Sequence, residues 1–275
     1  MGLYHDRMRD VVLNTSHARR VLAGERNHCN SGHGPFDHML PAVCYCVCHA
    51  AMHYESYMRA LKMKFRTCRD LPSSPLIVDL GCGPATTALA LADWLRECGR
   101  QRPAVSFIGI DNSRPFREIA LDMLSGANVF DDTSIFIVLP SVEQLTQSEI
   151  KRAVRDRNGV IFALSYILHQ RFMQNISILA SLMSRIRSET EGLPTWFLLQ
   201  DANYQDTYGT VTEVWPETQV NALANRCRPI GYQIRGYGAK TIFRSPHVTI
   251  DRDGKFAVQE AGATSNVCHF FQRIA

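Results

Sequence analysis

Asp79, Gly81 and Gly83 lie close together in the stretch Ile77-Val78-Asp79-Leu80-Gly81-Cys82-Gly83-Pro84-Ala85-Thr86. The apolar residues before Asp79 have the length and type of a buried strand. Glycine at 81 and 83 lets the backbone turn sharply and approach a ligand closely. A helix opening at Thr86 points its free N–H groups back at that turn. The stretch is therefore expected to be a ligand-binding elbow. The pattern G-x-G-x-x-G of a pyrophosphate site is incomplete, because Thr86 takes the third glycine position. Asp79 would also repel a pyrophosphate. An acidic residue suits an ammonium group instead. A second acid, Asp111, ends the apolar run Phe107–Ile110 in "FIGIDNS". A carboxylate there can accept both hydrogen bonds of a vicinal diol. Together the two acids fit a phosphate-free nucleoside that carries an amino-acid group.

Further along, "VIFALSYILHQRF" (Val160 to Phe172) ends a third apolar run on Ser165, Tyr166 and His169. His169 is a candidate general base, since an imidazole titrates near neutrality; it equally suits a capping or packing role at the next helix. Tyr166 can line a pocket or simply pack. "QDANYQDTYG" (Gln200 to Gly209) puts Asp201, Asn203 and Tyr204 on the same expected rim, as substrate contacts or as turn formers. Seven of the ten histidines sit at or before His53, and Cys29, His33, Cys44, Cys46, Cys48 and His49 are metal-ligand types. Structural zinc sites show paired C-x₂₋₄-C spacing, which is absent. In a helix Cys44 and Cys48 share a face and Cys46 points away. Core packing as small apolar residues is the reading adopted, and no metal is expected.

These residues need elements to position them. From Leu76 onward strand and helix patterns alternate, which argues for a parallel sheet covered by helices on both faces. Expected strands are Leu76–Leu80, Val105–Ile110, Ser134–Leu139, Val160–Ser165 and Thr195–Gln200. Expected helices are Thr86–Cys98, Pro115–Leu124, Val142–Arg155, Arg171–Ser188 and Thr218–Arg226. Ile230–Ile250 is β-rich, and Lys255–Ile274 reads as a hairpin. Before the boundary "LPSSP", Leu40–Phe65 reads as one or two helices. Residues 1–70 are thus expected to form an N-terminal helical cap on a main domain of residues 71–275. Tyr45, Tyr54 and Tyr57 are its candidates for facing the site.

Composition narrows the class. The chain has 275 residues, 45% apolar and 20% charged, as in ordinary globular proteins. A net charge of +4 is far from that of a dedicated nucleic-acid binder and does not exclude an RNA partner. Nine cysteines at irregular spacing, behind a charged start without an apolar leader, point to reduced thiols and a cytoplasmic setting. No apolar run approaches the length of a membrane span, so no membrane partner is expected. Nothing in the chain specifies an oligomeric state.

"VDLGCGPAT" followed by "FIGIDNS" resembles the class I S-adenosylmethionine-dependent methyltransferases, over about Leu76–Leu199 and the terminal hairpin. The resemblance implies an α/β Rossmann-like fold: a mostly parallel sheet that ends in an antiparallel hairpin. It implies S-adenosylmethionine as cofactor. Asp79, Gly81, Cys82 and Gly83 would hold the methionine part, Asp111 the ribose, and Asn112 would lie near the adenine. Ser141, Val142 and Ser165 would complete the cofactor contacts. Ala85 stands where the family often has a third glycine, and Ser141 where it often has an acid. The Asn/Asp-Pro-Pro-Tyr motif of base and glutamine methylation is absent at Ser165-Tyr166-Ile167-Leu168. "SYILHQ" is closer to the S-x-x-L-H pattern of small-molecule methyltransferases. It is also similar to a methyltransferase-like family of the small ribosomal subunit, together with Leu40-Pro41-Ala42. The expectation is methyl transfer to an O or N of a small molecule. RNA- or ribosome-directed methylation and a non-catalytic interaction module are the alternatives.

Overall fold

In the computed structural model, residues 23, 36–65, 71–165, 172–202, 224–230, 239–244, 247–250, 253, 256–259 and 264–274 are described. Residues 39–64 form one helical run. It comprises α1 (Met39–Tyr45), a π-helical turn (Cys46–Ala50) and α2 (Ala51–Lys64). β1 (Pro75–Leu80) follows and is buried at every position. A strand covered on both faces has no need to alternate, which is why Leu76-Ile77-Val78 is continuously apolar. The chain then runs through α3 (Thr86–Glu97), β2 (Ser106–Ile110), α4 (Arg114–Gly126), β3 (Ile135–Leu139), α5 (Gln147–Val154), β4 (Gly159–Ser165), α6 (Phe172–Arg187) and β5 (Thr195–Ala202). Four shorter or later strands complete it: β6 (Ala239–Arg244), β7 (His247–Ile250), β8 (Phe256–Gln259) and β9 (Thr264–Ile274).

The main sheet has the order β3-β2-β1-β4-β5-β9-β6. Its first five strands are parallel, and β9 runs antiparallel to both β5 and β6. This is the class I methyltransferase-type arrangement expected from the sequence. Strand order reverses between β1 and β4, and the Gly81–Gly83 turn leaves the carboxyl end of β1 at that point.

The period of two along each strand sorts the residues onto two faces. Leu76, Val78 and Leu80 pack with Ile108, Ile110, Val160, Phe162 and Leu164 under α5 and α6. Ile77 packs with Phe107, Ile161 and Leu198 under α3 and α2. Counting on by two, Asp79 in β1, Asp111 just past β2 and Ser165 at the end of β4 all belong to the second face. So the two acids and the serine emerge together, beneath the helices that precede β1.

Two expectations need correction. Val142–Arg155 is not one helix: a 3₁₀ turn (Val142–Gln144) precedes α5. The break is made by Thr146, whose hydroxyl accepts from the Glu149 N–H while the Glu149 carboxylate accepts from the Thr146 N–H. That capping box, Thr-x-x-Glu, starts a new helix. The second correction concerns the C-terminal strands. Phe256–Gln259 does not pair with β9; it pairs with β7 in a separate two-stranded sheet. β9 lies between β5 and β6 and pairs on both edges, Thr264–His269 with β6 and Val267–Ile274 with β5. Of Thr218–Arg226, only residues 224–226 lie among the described ones, and they are helical.

Candidate functional site

Three positive-φ positions, at every second residue, shape the elbow: Gly81 at 69°, Gly83 at 49° and Ala85 at 58°. Glycine adopts this region freely, whereas alanine is strained there. The third position of the motif is thus one where glycine fits best, and the single methyl of Ala85 is tolerated. Backbone bonds tie the turn to β2: the N–H groups of Gly81 and Cys82 donate to the Ile110 carbonyl at 2.7 and 3.2 Å. Cys82 lies against Gly109, where an added Cβ would come within 2.7 Å of its Sγ. A Cβ at Gly83 would meet no atom of the described residues within 4 Å. The side of the elbow at Gly83 is therefore open to a ligand.

Asp111 closes this side. One carboxylate oxygen accepts the Gly83 N–H at 2.9 Å and the other the Ser113 N–H at 2.9 Å. Each oxygen keeps a second lone-pair direction for a further donor. Arg117, in the first turn of α4, donates to the carbonyls of Asp111 and Asn112 at 2.8 and 2.9 Å and so pins the loop from below. Burial raises the Asp111 carboxyl above its ordinary range, while the two N–H groups and Arg117 act in the other direction.

Asp79 differs. It is 1% exposed, and neither carboxylate oxygen has a hydrogen-bond partner among the described residues. Burial pushes it up to about 8, and the nearby Asp111 charge adds to this. The Thr87 hydroxyl lies near enough to favour the ionised form, yet it closes no hydrogen bond on either oxygen. Two acids at one buried turn, one of them unpartnered, form a site short of positive charge. The fit is to a ligand with a cationic group for Asp79 and hydroxyl donors for Asp111. Cys82, between them, is held as a neutral thiol by burial and by both carboxylates. It therefore lines the turn as a buried, apolar side chain.

The other expected residues are placed as follows. Asn112 is exposed beside Asp111, and its carbonyl is used by Arg117. Ser141 and the buried Val142 follow β3, next to β2 in the sheet, and Ser141 bonds Glu143. Ser165 stands at the end of β4, beside β1. Tyr166, His169, Asn203 and Tyr204 lie outside the described residues, as do Cys29 and His33; Asp201 is in β5. Cys44, Cys46 and Cys48 are all buried. Cys46 packs with Phe36, Ala42, Phe116 and Ile119, a cluster that contains neither Cys44 nor Cys48. Among the described residues no group of three or more His, Cys, Asp or Glu side chains is arranged to hold a metal ion.

The helices before β1 cross this site. At one end the Phe36 carbonyl accepts from the Ser113 hydroxyl at 2.7 Å. There Phe36 and Tyr45 pack on Phe116 of α4, with ring centroids 5.0 and 5.2 Å away. At the other end Tyr57 of α2 reaches Ser165, which donates to it at 2.5 Å. Tyr54 turns to the outer side and bonds Asp93 of α3. Of the three candidate tyrosines, then, Tyr57 meets the site and Tyr45 flanks it. Spacing in sequence could not distinguish them, since all three lie within the same helical run.

No known family profile matches the chain, and no curated protein matches it. Among solved structures, the chain is similar to the 16S rRNA (adenine(1408)-N(1))-methyltransferase from Catenulisporales acidiphilia. That likeness has 18% identity and a TM-score of 0.39, covering 81% of this chain and 93% of that one. It is also similar to magnesium protoporphyrin IX methyltransferase (ChlM) from Synechocystis PCC 6803 with bound SAH. The values there are 14% identity and a TM-score of 0.40, over 90% and 97% of the two chains. A SAM-dependent methyltransferase from Anabaena variabilis ATCC 29413 is similar at 12% identity and a TM-score of 0.40, over 95% and 96%.

Proposed function

We propose that this chain is an S-adenosylmethionine-dependent methyltransferase whose acceptor is an O or N atom of a small molecule. The observation that carries the reading is the buried Asp79, unpartnered among the described residues, beside the Gly81–Gly83 turn, with Asp111 a strand away. In this reading the ammonium of the cofactor supplies the charge that Asp79 lacks. Asp111 takes the ribose hydroxyls on its remaining lone pairs while two backbone N–H groups hold it in place. Asn112 and the Ser141–Val142 turn flank the adenine. The bound cofactor supplies an electrophilic methyl group on a sulfonium.

What the protein does is position and desolvate the acceptor, since the methyl is already activated. Tyr166 and His169 follow Ser165 closely in the chain, after the carboxyl end of β4. Tyr166 is assigned to line the acceptor, and His169 to take a proton from an acceptor that must lose one. A small acceptor is favoured over RNA by the roof: the Ser113–Phe36 and Ser165–Tyr57 bonds tie the segment before β1 to both sides of the elbow. An RNA groove would instead call for an open, densely basic face.

Calorimetric titration with S-adenosylmethionine and S-adenosylhomocysteine, beside Asp111→Ala, tests the reading. Micromolar binding that is lost in the variant is the expected result. No binding at millimolar ligand would overturn it.

A further inference from the structure

Tyr45, His49, His53 and Tyr57 recur at every fourth position of the roof. In an unbroken α-helix four residues overshoot one turn by about 40°, so such a row would wind away from its starting face. The π-helical turn (Cys46–Ala50) sits inside the row and holds more residues per turn, which takes back part of that drift. The rings accordingly meet in succession. Their centroids are 4.8 Å apart for Tyr45–His49, 6.0 Å for Tyr45–His53 and 6.2 Å for His49–His53, the last pair stacked with 30° between planes. Both imidazoles are buried.

The two ends of the row are fixed on opposite sides of the elbow. Tyr45 packs on Phe116 of α4, with centroids 5.2 Å apart, just after the loop that carries Asp111. Tyr57 accepts from Ser165 at the end of β4, and Ser165 lies 3.3 Å from the Thr87 hydroxyl in the first turn of α3. β1 and its elbow lie between β2 and β4 in the sheet. The twelve positions from Tyr45 to Tyr57 span about 18 Å, whereas β2 and β4, two strand spacings apart, are separated by about 10 Å. The row is therefore long enough to bridge the three strand ends, with its middle members between the two anchors. His49 belongs to the Tyr45 end. His53 is one turn from Tyr57, on the β4 side, where the acceptor is placed.

We propose that His53 is a catalytic residue: it faces the transferred methyl group from the roof and takes the proton of an O–H or N–H acceptor. The acceptor atom bonds to the methyl carbon, the carbon–sulfur bond breaks with its electron pair on sulfur, and the acceptor's proton passes to an imidazole nitrogen. A neutral imidazole suits the task because one of its nitrogens is an acceptor. His49 stacks on the His53 ring and so limits its rotation. The inference rests on the cofactor reading above and deepens it, by naming a second group besides His169 for that proton.

The test compares two ligands on the full chain. Sinefungin carries an amine on carbon where the cofactor carries its methyl on sulfonium; S-adenosylhomocysteine has no group there. An imidazole facing that place accepts a hydrogen bond from the amine, so the ratio of the two affinities reads this contact alone. His53→Phe keeps a ring in the stack and removes both nitrogens. It is expected to weaken sinefungin by at least about tenfold, the worth of a hydrogen bond to a charged group, and S-adenosylhomocysteine by less than about twofold. His53→Gln restores an acceptor and should recover most of the loss. Tyr54→Phe, on the outer side of the same helix, should leave the ratio unchanged. In the wild type the His53 imidazole C–H signal, assigned in NMR spectra by its loss in His53→Gln, should move when sinefungin replaces S-adenosylhomocysteine. A ratio unchanged in His53→Phe, a ratio that falls equally in Tyr54→Phe, or an unmoved signal would overturn the inference and leave the cofactor reading standing. A wild-type chain that binds neither ligand would overturn both.

Discussion

A carboxylate buried without a hydrogen bond is costly as an anion, and Asp79 is held up to about 8 for that reason. The sign of the effect on stability follows. The unfolded chain releases this proton near pH 4 and the folded chain only near 8, so the contribution is complete below about pH 4 and is lost as pH rises toward 8. Asp79→Asn removes that dependence. The unliganded variant is expected to be more stable than the wild type at pH 8 by a few kcal/mol, and similar to it near pH 4. Each pH unit between the two titrations is worth about 1.4 kcal/mol. Denaturant unfolding at the two pH values measures this; a variant less stable at pH 8 would mean that the carboxylate makes a structural contact. Binding has the complementary dependence. A cationic ligand needs Asp79 ionised, so S-adenosylhomocysteine affinity should rise with pH by no more than about tenfold per unit and level off above about 8. The residue would thus trade stability for ligand charge.

At the scale of elements, the elbow depends on two small residues for different reasons. Gly109 must lack a side chain because Cys82 Sγ and the Phe107 ring would lie within 2.7 and 2.6 Å of a Cβ. Both neighbours are buried, so neither can move freely. Gly109→Ala should destabilise by about 1–3 kcal/mol and weaken cofactor binding, because β2 and the turn are pushed apart. Ala85 is small for its backbone, at φ 58° ahead of α3. Ala85→Gly relieves about 1–2 kcal/mol of left-handed strain and gives back about 0.4–1 kcal/mol as freedom of the unfolded chain. A net gain below about 1.5 kcal/mol with unchanged binding is expected. Paired chemical-denaturation curves for the two variants, moving in opposite directions, would bear this out; a shift in the same direction would not.

At the scale of the whole molecule, the sheet supplies a floor and residues 36–64 a roof held at two points, Phe36–Ser113 and Tyr57–Ser165. The first point is next to Asp111 and the second is on β4 beside β1, so a ligand held between the two acids would lie under the segment that carries both attachments. Amide exchange along residues 39–64 should therefore slow when S-adenosylhomocysteine is added, by more than it does in α5, which covers the opposite face. Equal slowing in the two regions would point to general stabilisation by ligand. The π-helical turn (Cys46–Ala50) sits in the middle of this roof and packs against β7 of the small sheet. The β7–β8 pair thus lies against this part of the roof.

Local patterning was enough for the five parallel strands, because a buried strand shows its apolar run and a turn its glycines. It was enough for the elbow as well: Asp79, Gly81, Gly83 and Asp111 sit at strand ends that short-range chemistry already defines. The start of α5 has a local signal too, Thr146-Gln147-Ser148-Glu149, although the expected helix Val142–Arg155 ran across it. Other features had no local signal. β9 chooses β5 and β6 over the adjacent β8 because pairing over the whole sheet outweighs a short hairpin. That Asp111 is held by Gly83 and Ser113 while Asp79 is left unpartnered depends on how β1 and β2 meet at their ends. The meeting of Tyr57, Ser165 and Thr87 depends on which helix lies across which strand. Residue types and spacing therefore sufficed to bring two acids and two glycines to one turn, while packing of distant segments decided which side chains share, support or leave open the buried charge.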